Sequence, residues 1–140
     1  MERARELMRE GRSFDYSFTD PYIAAPPSVT ASRKAGDCKA KSLWLCDQLG
    51  DSHVRYVIGK ARRSAKLSHA WVIWQNKGQW WILDCTNNSR PILAESTSKN
   101  EYIPLYSYDK YGCYRHESTQ LIATAVVPLS NPIGSPNRPH

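Results

Sequence analysis

Cys38, His69 and Asp84 are the residues whose types and placement could do chemistry together. Cys38 directly follows Gly36-Asp37 and opens a stretch, Cys38 to Leu49, in which Leu45, Cys46 and Leu49 recur at helical spacing. A cysteine at a helix N-terminus faces unbonded backbone N–H groups and the positive end of the helix dipole. Both favour the thiolate, which is the nucleophilic form. The same N–H groups suit the oxyanion of a tetrahedral intermediate.

His69 and Asp84 fall in two runs, His69 to Gln75 and Trp80 to Asp84, rich in aromatic and β-branched residues. The intervening Asn76-Lys77-Gly78-Gln79 reads as a hairpin turn. A two-residue turn, Lys77-Gly78, sets Trp71 opposite Asp84 and puts His69 diagonal to it on the same face. A three-residue turn would place them on opposite faces. With the first register, the Asp84 carboxylate can orient the imidazole and stabilise its cation. A thiol, a base and an orienting carboxylate together suit acyl transfer through a thioester. His53, His116 and His140 lack a carboxylate predicted by strand pairing and are weaker candidates for the base. Cys46 and Cys85 read as core residues.

The elements that must position these groups read as one helix on an antiparallel sheet, an α+β arrangement. Gly50 is placed to end the nucleophile's helix. Met1 to Gly11 reads as a short polar helix stopped by Gly11. Asp20 to Thr30, with Pro21, Pro26 and Pro27, reads as extended or looped. Val54 to Ile58 reads as a strand ended by Gly59, and Cys85 to Asn100 as a polar loop after the hairpin. Tyr102 to Tyr108, Cys113 to His116 and Leu121 to Val127 are further strand candidates. By alternation Trp71 and Trp80 share the face of His69, whereas Trp74 and Trp81 take the other. Trp71 is thus a candidate wall of a cleft beside the thiol. Residues 1–129 form the expected single domain, with 1–19 as a helix and lead-in and 130–140 as a Pro-rich tail.

A chain of 140 residues supports one core. Hydrophobic residues at 41% and charged residues at 23% exclude collagen-like and coiled-coil classes. No run approaches the roughly 20 apolar residues of a membrane span. Met1 to Arg12 is charged and lacks the apolar centre of a signal peptide. A signal removed upstream would place the chain in the periplasm or cell envelope; otherwise it is cytoplasmic. The net charge of +6 comes from scattered basic residues, with local clusters at Arg33-Lys34 and Lys60 to Lys66. This favours a basic surface over a nucleic-acid site. The four cysteines contain no Cys-x-x-Cys pair, which argues against a zinc ribbon.

The stretches GDCKAKSLWLCDQLG, VRYVIGKA and SHAWVIWQNKGQWWILDCTN resemble the transglutaminase-like superfamily. They are most similar to the bacterial transglutaminase-like cysteine proteinases, on a papain-like fold. DPYIAAPPSVTASRKAGDC and YIPLYSYDKYGCYRH extend the resemblance from about Asp20 to His116. It implies Cys38 as nucleophile, His69 as general base and acid, and Asp84 as orienting residue. The implied reaction is attack on an amide carbonyl, followed by transfer to water or to an amine. Two positions depart from the family's pattern. Residues 1–37 contain neither Gln nor Asn to serve as an upstream oxyanion donor. Calcium-dependent relatives carry acidic residues after the nucleophile, where this chain has Lys39 and Lys41. Ammonium groups repel a dication, so no calcium site is expected there.

The expectation is a cysteine peptidase or amidase, needing no metal or organic cofactor. It would be a monomer acting on a protein or peptide, without nucleic acid or a membrane span. The alternatives are transglutaminase-type transfer to an amine, or a catalytically silent module that binds a peptide or polymer on the same fold.

Overall fold

The computed structural model describes residues 1–18, 24–50, 53–116 and 126–128. In chain order these form α1 (Glu2–Ser13), β1 (Asp15–Tyr16), α2 (Pro27–Arg33), β2 (Ala35–Gly36) and α3 (Cys38–Leu49). Then follow β3 (Val54–Arg62), β4 (His69–Asn76), β5 (Gln79–Leu83), β6 (Ile92–Leu93), a 3₁₀ turn (Ala94–Ser96), β7 (Glu101–Asp109), β8 (Gly112–His116) and β9 (Val126–Pro128). Strands β3 to β9 build one antiparallel sheet in the order β6-β5-β4-β3-β7-β8-β9. The expected α+β class holds. The expected strand over Leu121 to Val127 overlaps β9 only at its end. The rest of that stretch, and the Pro-rich tail, lie outside the described residues.

The hairpin that sets the site is the two-residue one. Asn76 pairs with Gln79 and Val72 with Leu83. Lys77 (φ 53°) and Gly78 (φ 79°) both take positive φ, the type I′ geometry that follows the twist of the flanking strands. Residues of the two sheet faces separate as alternation requires. Trp74 and Trp81 join Trp44, Phe14 and the α1 residues Ala4, Leu7 and Met8 in the core under the helices. Trp71 and Trp80 lie with Val57, Ile73, Ile82 and Tyr102 on the opposite face.

Four local expectations are corrected. Gly11 does not stop α1, which continues to Ser13. Its missing side chain instead lets the helix approach the sheet: a Cβ there would stand 2.7 Å from Cys85 Sγ. Pro27 does not hold its segment extended but begins α2, since a first-turn residue needs no N–H partner. Gly59 does not end β3. The strand runs on to Arg62 and its register with β7 shifts at Ile58/Gly59, where a Cβ would stand 2.2 Å from the Ile103 carbonyl oxygen. The stretch after Asp84 is not wholly a loop, because Ile92 and Leu93 pair with β5 as β6.

The sequence reading gave no hint of the small parallel ladder between β1 and β2, in which Asp15 aligns with Ala35 and Tyr16 with Gly36. It ties the chain after α1 to the residues just before Cys38. Lys41, on α3, reinforces that tie by donating from Nζ to the Phe14 carbonyl at 2.7 Å.

Candidate active site

Cys38 is the first residue of α3, and Asp37 caps the helix by accepting a hydrogen bond from the Ala40 N–H at 3.0 Å. Asp caps well because its short carboxylate reaches back to an otherwise unbonded donor of the first turn. Gly50, in the left-handed conformation (φ 58°), closes the other end through its N–H to the Cys46 carbonyl. The helix is buried along Ala40 to Leu45 and is thereby fixed against the sheet. Cys38 itself is only partly buried and packs against the core cluster that includes Leu43, Tyr56, Ile58 and Ala70.

His69 is the first residue of β4, and Asp84 directly follows β5. His69 Nε2 stands 2.9 Å from Asp84 Oδ2. Asn87 Nδ2 lies 3.3 Å from the same nitrogen, and the Cys38 side chain is close enough to interact with the imidazole. All three residues predicted to act together therefore meet. Burial alone would lower the His69 pKa, but the bonds to Asp84 and Cys38, with their charges, push it up to about 10.

Asp84 is 1% exposed, and burial opposes its charge. The His69 bond and charge, and hydrogen bonds from Tyr102 and Asn87, outweigh that and hold its carboxyl below the usual range. Oδ2 accepts from the Tyr102 hydroxyl at 2.8 Å and the Asn87 amide at 3.1 Å, while Oδ1 accepts from the Thr86 N–H at 3.2 Å. Burial and the neighbouring Asp84 charge raise the Tyr102 pKa, so the phenol stays a donor. Asn88 Nδ2 donates to the same phenol at 2.9 Å.

Tyr102, Asn87 and Asn88 were not singled out by sequence reasoning. The two asparagines follow Asp84 so closely that proximity was a usable signal. Tyr102 arrives from β7 through the β3–β7 pairing, which no local pattern encodes. It also holds a positive φ of 49°, rare for a residue with a side chain, at the point where its hydroxyl meets Asp84.

Trp71 does not form an open cleft wall. It is fully buried, with its ring 6.0 Å from the His69 ring in a stacked arrangement and edge-on to Tyr102 at 5.2 Å. It supports the imidazole from beneath. Cys46, Cys85 and Cys113 are free thiols, and burial pushes the Cys85 thiol up to about 12 and raises Cys46 and Cys113. His116 lies away from the site, with Nε2 2.9 Å from Ser107 Oγ in the sheet.

The residues after the nucleophile do not suit a divalent cation. Lys39 is paired with Asp37, and Lys41 is 1% exposed, its Nζ bonded to a backbone carbonyl. Among the described residues no group of three or more His, Cys, Asp or Glu side chains could hold a metal. No described helix is long and apolar enough to cross a membrane.

No family model matches the sequence, and no curated protein matches it. Solved structures do. A structure of Legionella pneumophila LapG superposes with a TM-score of 0.66 at 16% identity, over 84% of this chain and 69% of that one. Calcium-bound LapG gives 0.65 at 17% identity, over 89% and 75%. EGTA-treated LapG gives 0.67 at 15% identity, over 91% and 70%. At such identities the likeness is one of fold. The chain has the α+β papain-like fold, with Cys38 heading the helix packed on the antiparallel sheet.

Proposed function

We propose that this chain is a cysteine hydrolase of peptide or other amide bonds, working on a protein or peptide through Cys38, His69 and Asp84. The observation that carries this reading is that the His69 imidazole is hydrogen-bonded to Asp84 and also interacts with the Cys38 side chain. The fold likeness to LapG, a transglutaminase-like cysteine protease, supports it.

Asp84 takes Nε2, which leaves Nδ1 of His69 for the thiol. The imidazole is protonated at neutral pH, and the form of Cys38 that attacks is the thiolate paired with that imidazolium. The thiolate sulfur attacks the carbonyl carbon, a C–S bond forms, and the carbonyl electron pair moves to oxygen. The oxyanion lies against the first turn of α3, within reach of the Cys38 backbone N–H. His69 then gives its proton to the leaving nitrogen as the C–N bond breaks and the oxyanion collapses to a thioester. The neutral imidazole takes a proton from water. The hydroxide adds to the thioester, and the C–S bond breaks to release the acid and restore the ion pair. Asp84 remains ionised throughout and keeps the imidazole in one orientation.

The test is the pH dependence of iodoacetamide alkylation at Cys38, read by peptide mass spectrometry, in wild type and His69→Ala. Fast alkylation should persist well below pH 8 in the wild type. In the variant it should follow an ordinary thiol, with a midpoint near about 8.5. Ordinary titration in both proteins would sink the enzyme and leave a binding module on this fold.

A further inference from the structure

Among the described residues the Cys38 N–H is an evident oxyanion donor, and residues 1–37 contain no Gln or Asn. Among the described residues, the segment after α1 approaches the start of α3. Phe14, Tyr16 and Phe18 alternate in this extended stretch and so share a side. The two that flank Tyr16 are each tied to α3. The Phe14 ring packs on Trp44 at 4.8 Å, and its carbonyl accepts from Lys41. The Phe18 ring lies under the Lys39 ammonium at 5.1 Å. Backbone bonds fix the register: the Asp15 N–H donates to the Lys34 carbonyl at 3.0 Å and the Ser17 N–H to the Gly36 carbonyl at 3.2 Å. Tyr16 is thereby held against Gly36, two residues before the nucleophile. This register brings the Tyr16 phenol close to the Cys38 backbone. Although so placed, Tyr16 is 58% exposed, so its ring can yield to an incoming substrate.

We propose that the Tyr16 hydroxyl is the second oxyanion donor of this site, acting beside the Cys38 N–H. This rests on the function proposed above. In the resting site the phenol lies beside the Cys38 backbone N–H. When the thiolate adds to a carbonyl, the new oxyanion accepts from both that N–H and the Tyr16 O–H. Burial, with the Cys38 and Asp37 charges nearby, raises the phenol's pKa, so the proton needed for donation is in place.

Two reactions of the full chain separate this role from the Cys–His couple. Iodoacetamide alkylates by displacement at a saturated carbon and forms no oxyanion. Acylation by p-nitrophenyl acetate, followed as the burst of p-nitrophenolate, passes through one. Tyr16→Phe should slow acylation by about 10²- to 10³-fold, the usual loss for one oxyanion donor. It should leave the alkylation rate and its pH profile within twofold of wild type, which also reports that the site is intact. Acylation at the wild-type rate would overturn the inference, and faster acylation would overturn it by showing that the phenol obstructs the oxyanion position. Slow acylation with equally slow alkylation would also overturn it, by assigning Tyr16 to holding the thiol. If wild-type Cys38 alkylates as an ordinary thiol, the proposed function fails and this inference falls with it.

Discussion

Four donors converge on the Asp84 carboxylate, and their work can be divided. His69 supplies the charge-bearing partner, whereas Tyr102 contributes a buried hydroxyl that bonds the carboxylate and Asn88. A hydrogen bond to a charged group contributes about 1.5–3 kcal/mol. Tyr102→Phe should therefore lower the free energy of unfolding by that amount in urea titrations. Asp84 keeps three of its donors in the variant, so Cys38 alkylation at neutral pH should fall by less than about tenfold. A loss as large as that of His69→Ala would show that Tyr102 governs the couple and does not merely support it. The lysines after the nucleophile give a second expectation at this scale. With Lys39 paired to Asp37 and Lys41 buried, neither calcium nor EGTA should change the alkylation rate or the melting temperature. A calcium-dependent shift in either would disprove the assignment.

At the scale of elements, the sequence was most readable where a pattern was local. The helix from Cys38 to Leu49, its Gly50 stop and the Lys77-Gly78 turn each follow from residues within a few positions of one another. That turn fixed the register, and the register brought His69 to Asp84. Gly11 and Gly59 misled because a glycine signals both a break and a close approach, and only the tertiary neighbour tells which. Gly59 is the more consequential, because its strand partners are His69 on one side and Pro104 on the other. A Cβ there would meet the Ile103 oxygen, the Pro104 Cα at 2.9 Å and the Trp71 ring at 2.9 Å. Two of those contacts are backbone and cannot rotate away. Gly59→Ala should cost about 3 kcal/mol, the upper part of the range for overpacking. It should also slow Cys38 alkylation, because Trp71 carries the His69 ring. A variant as stable and reactive as wild type would mean that β3 and β7 can separate at this point without consequence.

Across the whole molecule, two histidines held in opposite states should shape stability against pH. His116 is 7% exposed, and burial, aided by the Arg55 charge, lowers its pKa to about 4. Between about pH 4 and 6.5 the unfolded chain binds a proton there that the folded chain refuses. Stability should therefore fall as pH drops through that window, by about 3 kcal/mol across it. His69 acts in the opposite sense. Its folded pKa is raised to about 10, so its stabilisation is complete below about pH 6.5 and is lost as pH rises toward 10. The lowered pKa of Asp84 adds stabilisation that is present above its unfolded value near 3.8 and fades below it. The sum is a stability maximum near pH 6.5 with two limbs of separate origin. Melting temperatures measured from pH 4 to 10 should trace it, and single substitutions should move one limb each. His116→Gln, which keeps a side chain able to bond Ser107, should flatten the acid limb alone. Cys38→Ala removes one of the two partners that raise the His69 pKa, so the alkaline limb should still begin near about pH 6.5 but level off at lower pH with a smaller total loss, while the acid limb stays in place. A single substitution that moved both limbs together would mean that the site of Cys38 and His69 and the β7–β8 pair carrying His116 titrate as one coupled unit, against the separation of the two sites in the fold.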